Sequence, residues 1–159
     1  MAATSTTQIS RFHPADATLI QYSGNVLNRG IEEKRITEDD AQLIREFVAE
    51  ISATRHISMG RAFKLHYTLV NLREYLGQFR ENAIADIYTA IDRVRNAKNP
   101  DGTPRYKQNS ISDFVRFLKR FYLWMVENHY TNIDVKKIQK IQPPSYDLMT
   151  KTPDMLLTE

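Results

Sequence analysis

The 159-residue chain contains no cysteine and only five glycines, none of them adjacent to another. Without thiols there is no disulfide, no zinc–thiolate site and no cysteine nucleophile, a composition that suits a reducing compartment. Isolated glycines cannot build a phosphate-cradling loop. The four histidines, His13, His56, His66 and His129, are never four apart, and no H-E-x-x-H occurs, so no metal site is expected. No serine stands in a nucleophile-elbow sequence. No apolar run reaches the ~18 residues of a membrane span. The first residues, MAATSTTQIS, have neither the charged start nor the apolar middle of a secretory leader. The expectation is a soluble, cytoplasmic chain with no cofactor, no catalytic residue and no membrane partner.

What the chain has is charge in blocks. Residues 1–54 carry 5 basic and 8 acidic side chains, and residues 55–80 carry 5 and 1. Residues 81–104 carry 3 and 4, residues 105–140 carry 8 and 3, and residues 141–159 carry 1 and 3. Two basic blocks therefore stand out against a net charge of only +3. Such blocks can be plain solvated faces, or the footprint of a polyanion.

The apolar pattern is helical throughout, and no segment alternates with period two. Residues 1–30 read as a flexible lead or an extra helix, with Gly24 and Gly30 expected to break any helix over 16–29. Thr37 followed by Glu38, Asp39 and Asp40 predicts a helix start, with Leu43, Ile44, Phe47, Val48 and Ile51 inward. Ser58 caps a second helix over 59–76, which Gly77 is expected to stop. A third spans 82–97, with Ile84, Ile87, Tyr88, Ile91 and Val94 inward. Pro100-Asp101-Gly102 predicts a turn. A fourth, the longest, spans 110–129, started by an approximate capping box of Ser110 and Asp113. A short helix covers 132–140 before Gln142-Pro143-Pro144. The expectation is an all-α compact bundle of four main helices.

On the second helix Arg61, Lys64, Thr68 and Asn71 share one polar stripe, with Arg55 just before it. On the fourth, Asn109, Ser112, Arg116, Lys119 and Arg120 share the polar side, preceded by Arg105 and Lys107. Cations of this kind neutralise phosphates, and Asn and Arg can pair with base edges in the major groove. Phe117 and Trp124 lie off the main core stripe of the fourth helix. Exposed, they would instead suit an adaptor that docks a protein partner.

At this point the residues become familiar. S-I-S-D-F-V-R-F-L-K-R-F-Y-L-W-M, residues 110–125, resembles the last core helix of the core-binding, SAM-like domain of phage-integrase-family tyrosine recombinases. R-A-F-K-L-H-Y-T-L-V-N-L-R-E-Y-L-G resembles the family's preceding helix that crosses DNA, and F-R-E-N-A-I-A-D-I-Y-T-A-I-D-R-V its third helix. I-Q-P-P and K-T-P-D-M-L-L-T-E resemble the linker and the opening of the catalytic domain. Archaeal members are closest in style, and the resemblance covers about residues 31–159. Ser110 stands where the family commonly has Thr. Residues 1–30 match nothing in the family.

The resemblance implies a DNA-binding domain over 31–142 and a linker over 143–159 to a catalytic domain that these residues do not include. It implies duplex DNA as partner, and self-association through that catalytic domain. It also implies a parent enzyme that cuts and rejoins strands during integration or excision. The family's His-x-x-Arg is missing here, so no catalytic residue is assigned. The alternatives are a protein-interaction helical bundle and a dimeric helix-turn-helix regulator, which would need a palindromic site.

Overall fold

The computed structural model describes residues 16–145. The expected lead over 1–15 and the linker beyond Ser145, including Leu157-Thr158-Glu159, lie outside the described residues. The fold is all-α: among the described residues there are six α-helices, one 3-10 turn and no strand beyond a single isolated bridge. The chain divides between Glu74 and Tyr75 into two compact units.

The first unit holds α1 (Asp16–Glu32), α2 (Glu38–Arg55) and α3 (Met59–Leu72). Neither glycine breaks α1, contrary to the sequence expectation. Gly30 is there for closeness: a Cβ would meet Ile36 Cγ1 at 3.1 Å and Val70 Cγ1 at 3.4 Å. α1 packs chiefly against α3. The start of α2 is a capping box, with Thr37 Oγ1 accepting from the Asp40 amide and Asp40 Oδ2 accepting from the Thr37 amide, both at 3.0 Å. Leu43, Ile44, Phe47, Val48 and Ile51 are buried as the spacing predicts.

α3 ends four residues before the predicted Leu76. The amides of Arg73 and Glu74 bond three residues back, to Val70 and Asn71, which tightens and closes the last turn. Arg73 then turns its guanidinium onto the buried Asp40, Nε to Oδ2 at 2.8 Å.

The second unit holds the 3-10 turn Phe79–Glu81, α4 (Ile84–Asn96), α5 (Gln108–Glu127) and α6 (Val135–Gln139). Gly77 caps no helix. It lies in a turn held by Asn82, whose Oδ1 accepts from the Gly77 amide and whose Nδ2 donates to the Gly77 carbonyl. Asn82 also donates to the Tyr122 hydroxyl, which donates to the Phe79 carbonyl. That chain satisfies a wholly buried phenol. Phe79, Phe121 and Trp124 pack as an aromatic core, with ring centroids 4.8 Å apart for the first pair and 5.8 Å for the second. Tyr88 was expected inward but is exposed, and its hydroxyl donates to the Lys137 carbonyl at 2.6 Å.

α5 begins two residues before Ser110, with Lys107 at the N-cap and no side chain capping it. The predicted box of Ser110 and Asp113 therefore does not start this helix. Before it, residues 97–105 form a tight loop in which Gly102 takes a positive φ of 89°. Asp101 accepts from both the amide and the hydroxyl of Thr103 there. Those bonds hold its carboxyl below the usual carboxylate range.

Candidate nucleic-acid interface

In the first unit the polar residues gather at the corner between α2 and α3. Arg55 is exposed in the last turn of α2. His56 takes a left-handed φ of 51°, which reverses the chain so that Ser58 can cap α3. Ser58 Oγ accepts from the Arg61 amide at 3.2 Å. Arg61 is exposed in the first turn and Lys64 half-buried in the next. No Asp or Glu occurs from Ile51 to Arg73. Arg73 in that run serves the core, through Asp40. The corner thus combines the positive end of a helix dipole with cations, on a stretch of sequence that itself carries no carboxylate.

The rest of the predicted stripe is uneven. Thr68 is only 4% exposed and belongs to the interior, not to a ligand face. It lies seven residues, about two helical turns, beyond Arg61. Asn71 is half-buried, and its Oδ1 accepts from Arg35 Nη2 at 2.7 Å. The sequence reading missed Arg35, because all of α2 and most of α3 lie between it and Asn71 in the chain.

In the second unit the polar side of α5 is used in a way the sequence reading did not foresee. Ser112 is wholly buried. Its Oγ donates to the Pro144 carbonyl at 2.7 Å and accepts from Arg116 Nε at 3.2 Å. Gln108 Nε2 donates to the Ser145 carbonyl at 2.6 Å. Lys119 Nζ donates to the carbonyls of Gln139 and Ile141, at 3.2 and 2.8 Å, and so places a cation at the negative end of α6. Arg95 Nη2 reaches the Gln142 carbonyl at 3.4 Å. These donors strap residues 139–145 along the unit. Ser112 and Lys119, predicted to meet DNA, instead hold the chain's own carbonyls. The signal was present only in part: Pro143 and Pro144 announce an extended segment, but nothing local says where it lies.

Lys107 and Arg116 remain exposed, and Asn109 and Arg120 are half-buried. Beside Lys107 sits an arginine–tyrosine cluster, of which the sequence pattern had marked Arg105 alone. Arg105 Nη1 donates to Tyr75 Oη at 3.1 Å, the Tyr75 and Tyr106 hydroxyls are 2.9 Å apart, and Arg93 lies 5.4 Å over the Tyr75 ring.

Phe117 and Trp124 are buried, at 0% and 6% exposure, so neither presents a docking surface. Among the described residues no group of three or more His, Cys, Asp or Glu is placed to hold a metal ion. No helix among them is long and apolar enough to cross a membrane. His66 is buried with Nδ1 2.8 Å from the Ala62 carbonyl. Burial pushes its imidazole below the usual range, the Ala62 carbonyl partly opposes that, and Arg45 adds to the fall. No protein-family model, curated protein or solved structure matches the chain.

Proposed function

We propose that this chain is the DNA-gripping module of a site-specific recombinase of the phage-integrase type, and that it binds duplex DNA without itself cutting it. The observation that carries the reading is the α2–α3 corner. Arg55, Arg61 and Lys64 stand around a Ser58-capped helix start, within a run from Ile51 to Arg73 that has no carboxylate. A duplex offers one phosphate charge per about 1.7 Å of axis, which suits a cluster of long cations better than any neutral partner does. The ordered resemblance of residues 61–77, 79–94 and 110–125 to the recombinase core-binding domain supports the same reading. Lys107, Arg116 and Arg120 are the cations the second unit contributes. A protein-docking adaptor has less support, since the two aromatic side chains it would use are interior.

The test is duplex binding by fluorescence anisotropy. Arg61→Ala should weaken affinity for every duplex sequence to a similar degree and reduce the salt slope by about one. Its melting temperature should stay at the wild-type value, because Arg61 is exposed. An unchanged affinity and slope would remove the α2–α3 corner from the interface.

A further inference from the structure

We infer that the first unit carries a second nucleic-acid site, a cleft between α1 and α3 that takes an unstacked nucleotide of single-stranded DNA. The cleft has a volume of about 360 Å³ and is lined chiefly by Tyr22, Arg29, Arg35, Phe63, Tyr67 and Asn71. That size falls in the about 300–1,000 Å³ range of small-molecule sites, enough for a base and its sugar but not for a helix.

Three features define the occupant. The first is aromatic. Tyr22, Phe63 and Tyr67 form a ladder, with centroids 6.0 Å apart for the first pair and 5.3 Å for the second. Tyr22 is 46% exposed and Tyr67 is 37% exposed, so two of the four exposed large hydrophobic side chains among the described residues flank this one cleft. Exposed rings offer faces on which a base can stack. The second is charge. Arg29 and Arg35 line the cleft and, among the described residues, no Asp or Glu does, so it is complementary to an anion. The third is hydrogen bonding. Arg35 fixes Asn71 Oδ1, which leaves the amide NH2 as the end that can meet a base edge, and Asn25 adds a second amide.

Stacking on a ring requires a base whose face is open. In a duplex each face is already covered by its neighbour, so the ladder selects single-stranded or locally melted DNA. The inference rests on the reading above only in that both have α3 meet nucleic acid. Their key residues differ: Arg55 and Arg61 for the duplex, Tyr22 and Tyr67 for the unstacked base.

The experiment measures binding of fluorescein-labelled oligothymidylate and of a labelled duplex to the full chain. Tyr22→Ala and Tyr67→Ala should each weaken oligothymidylate binding about tenfold, while duplex affinity changes less than about twofold. Tyr67→Trp should restore single-strand binding, and its indole fluorescence should fall as oligothymidylate is added. That quenching reads stacking directly, so the test survives even if an alanine variant melts early. Single-strand affinity indifferent to both tyrosines overturns the inference and leaves the duplex reading standing. Equal losses for both probes also overturn it, since the rings would then belong to the duplex interface. A proline-rich peptide that binds the cleft where oligothymidylate does not would overturn it as well. Normal oligothymidylate binding without duplex binding would sustain the cleft and end the duplex reading.

Discussion

Asp40 shows how one residue can be read correctly for one role and miss another. Its place after Thr37 predicts an acid in the first turn, at the positive end of the dipole, and it sits there, where it also closes the capping box. Nothing local predicts that the same carboxylate, wholly buried, is neutralised by Arg73. Removing one partner of a buried pair leaves a charge in low dielectric, so Arg73→Met should destabilise the first unit by about 3 kcal/mol, measured by denaturant unfolding. Asp40→Ala should cost at least as much, because the cap is lost with it. His66 gives a pH signature. Its folded pKa lies below the unfolded value of about 6.5, so the fold favours the neutral ring. Stability from this group is full above that pH. It falls as the pH drops from about 6.5 toward the folded pKa, because the unfolded chain protonates first. Thermal melts across that range should show this loss in the wild type and a flatter profile in His66→Gln.

At the scale of the element, periodicity made α2 through α5 legible, whereas α1 was expected to break at Gly24 and Gly30, and the ends were less legible throughout. α2 and α4 begin within two residues of prediction because acids mark their first turns. α5 begins at Gln108 with no side-chain cap at Lys107 to mark it, and α3 ends at Leu72, just before Arg73 turns to Asp40. The polar side of α5 is the larger lesson. A stripe of Ser112, Arg116 and Lys119 has the same pattern whether it meets phosphates or the chain's own carbonyls, since both are oxygen acceptors. Here the strap at 139–145 takes Ser112 and Lys119. Lys119→Ala should therefore open the strap rather than only weaken DNA binding. Hydrogen exchange at residues 139–142 should quicken, reflecting the loss of about 1.5–3 kcal/mol from bonds to a charged donor. Unchanged exchange there would mean that Lys119 contributes nothing to holding the strap.

For the whole molecule, the all-α class follows from composition and spacing, and the structure has it. The division at Glu74 and Tyr75 was not legible, because the spacing of Leu69, Leu72 and Leu76 reads as one unbroken helix across it. The placement of α1 in the first unit was equally hidden, since the contacts that seat it, Gly30 against Ile36 and Val70 and Tyr22 against Phe63, join residues far apart in the sequence. The candidate site was legible in part. The corner cations Arg55, Arg61 and Lys64 are where helical phase puts them, whereas Thr68 and Ser112 are interior. Both units present cations, and under the proposed function each neutralises phosphates of a duplex. Its most direct test is the affinity of the full chain for duplex DNA across a salt series. With about five phosphates neutralised, log K should fall against log salt with a slope near −4 to −5. An affinity that barely moves with salt would contradict the account.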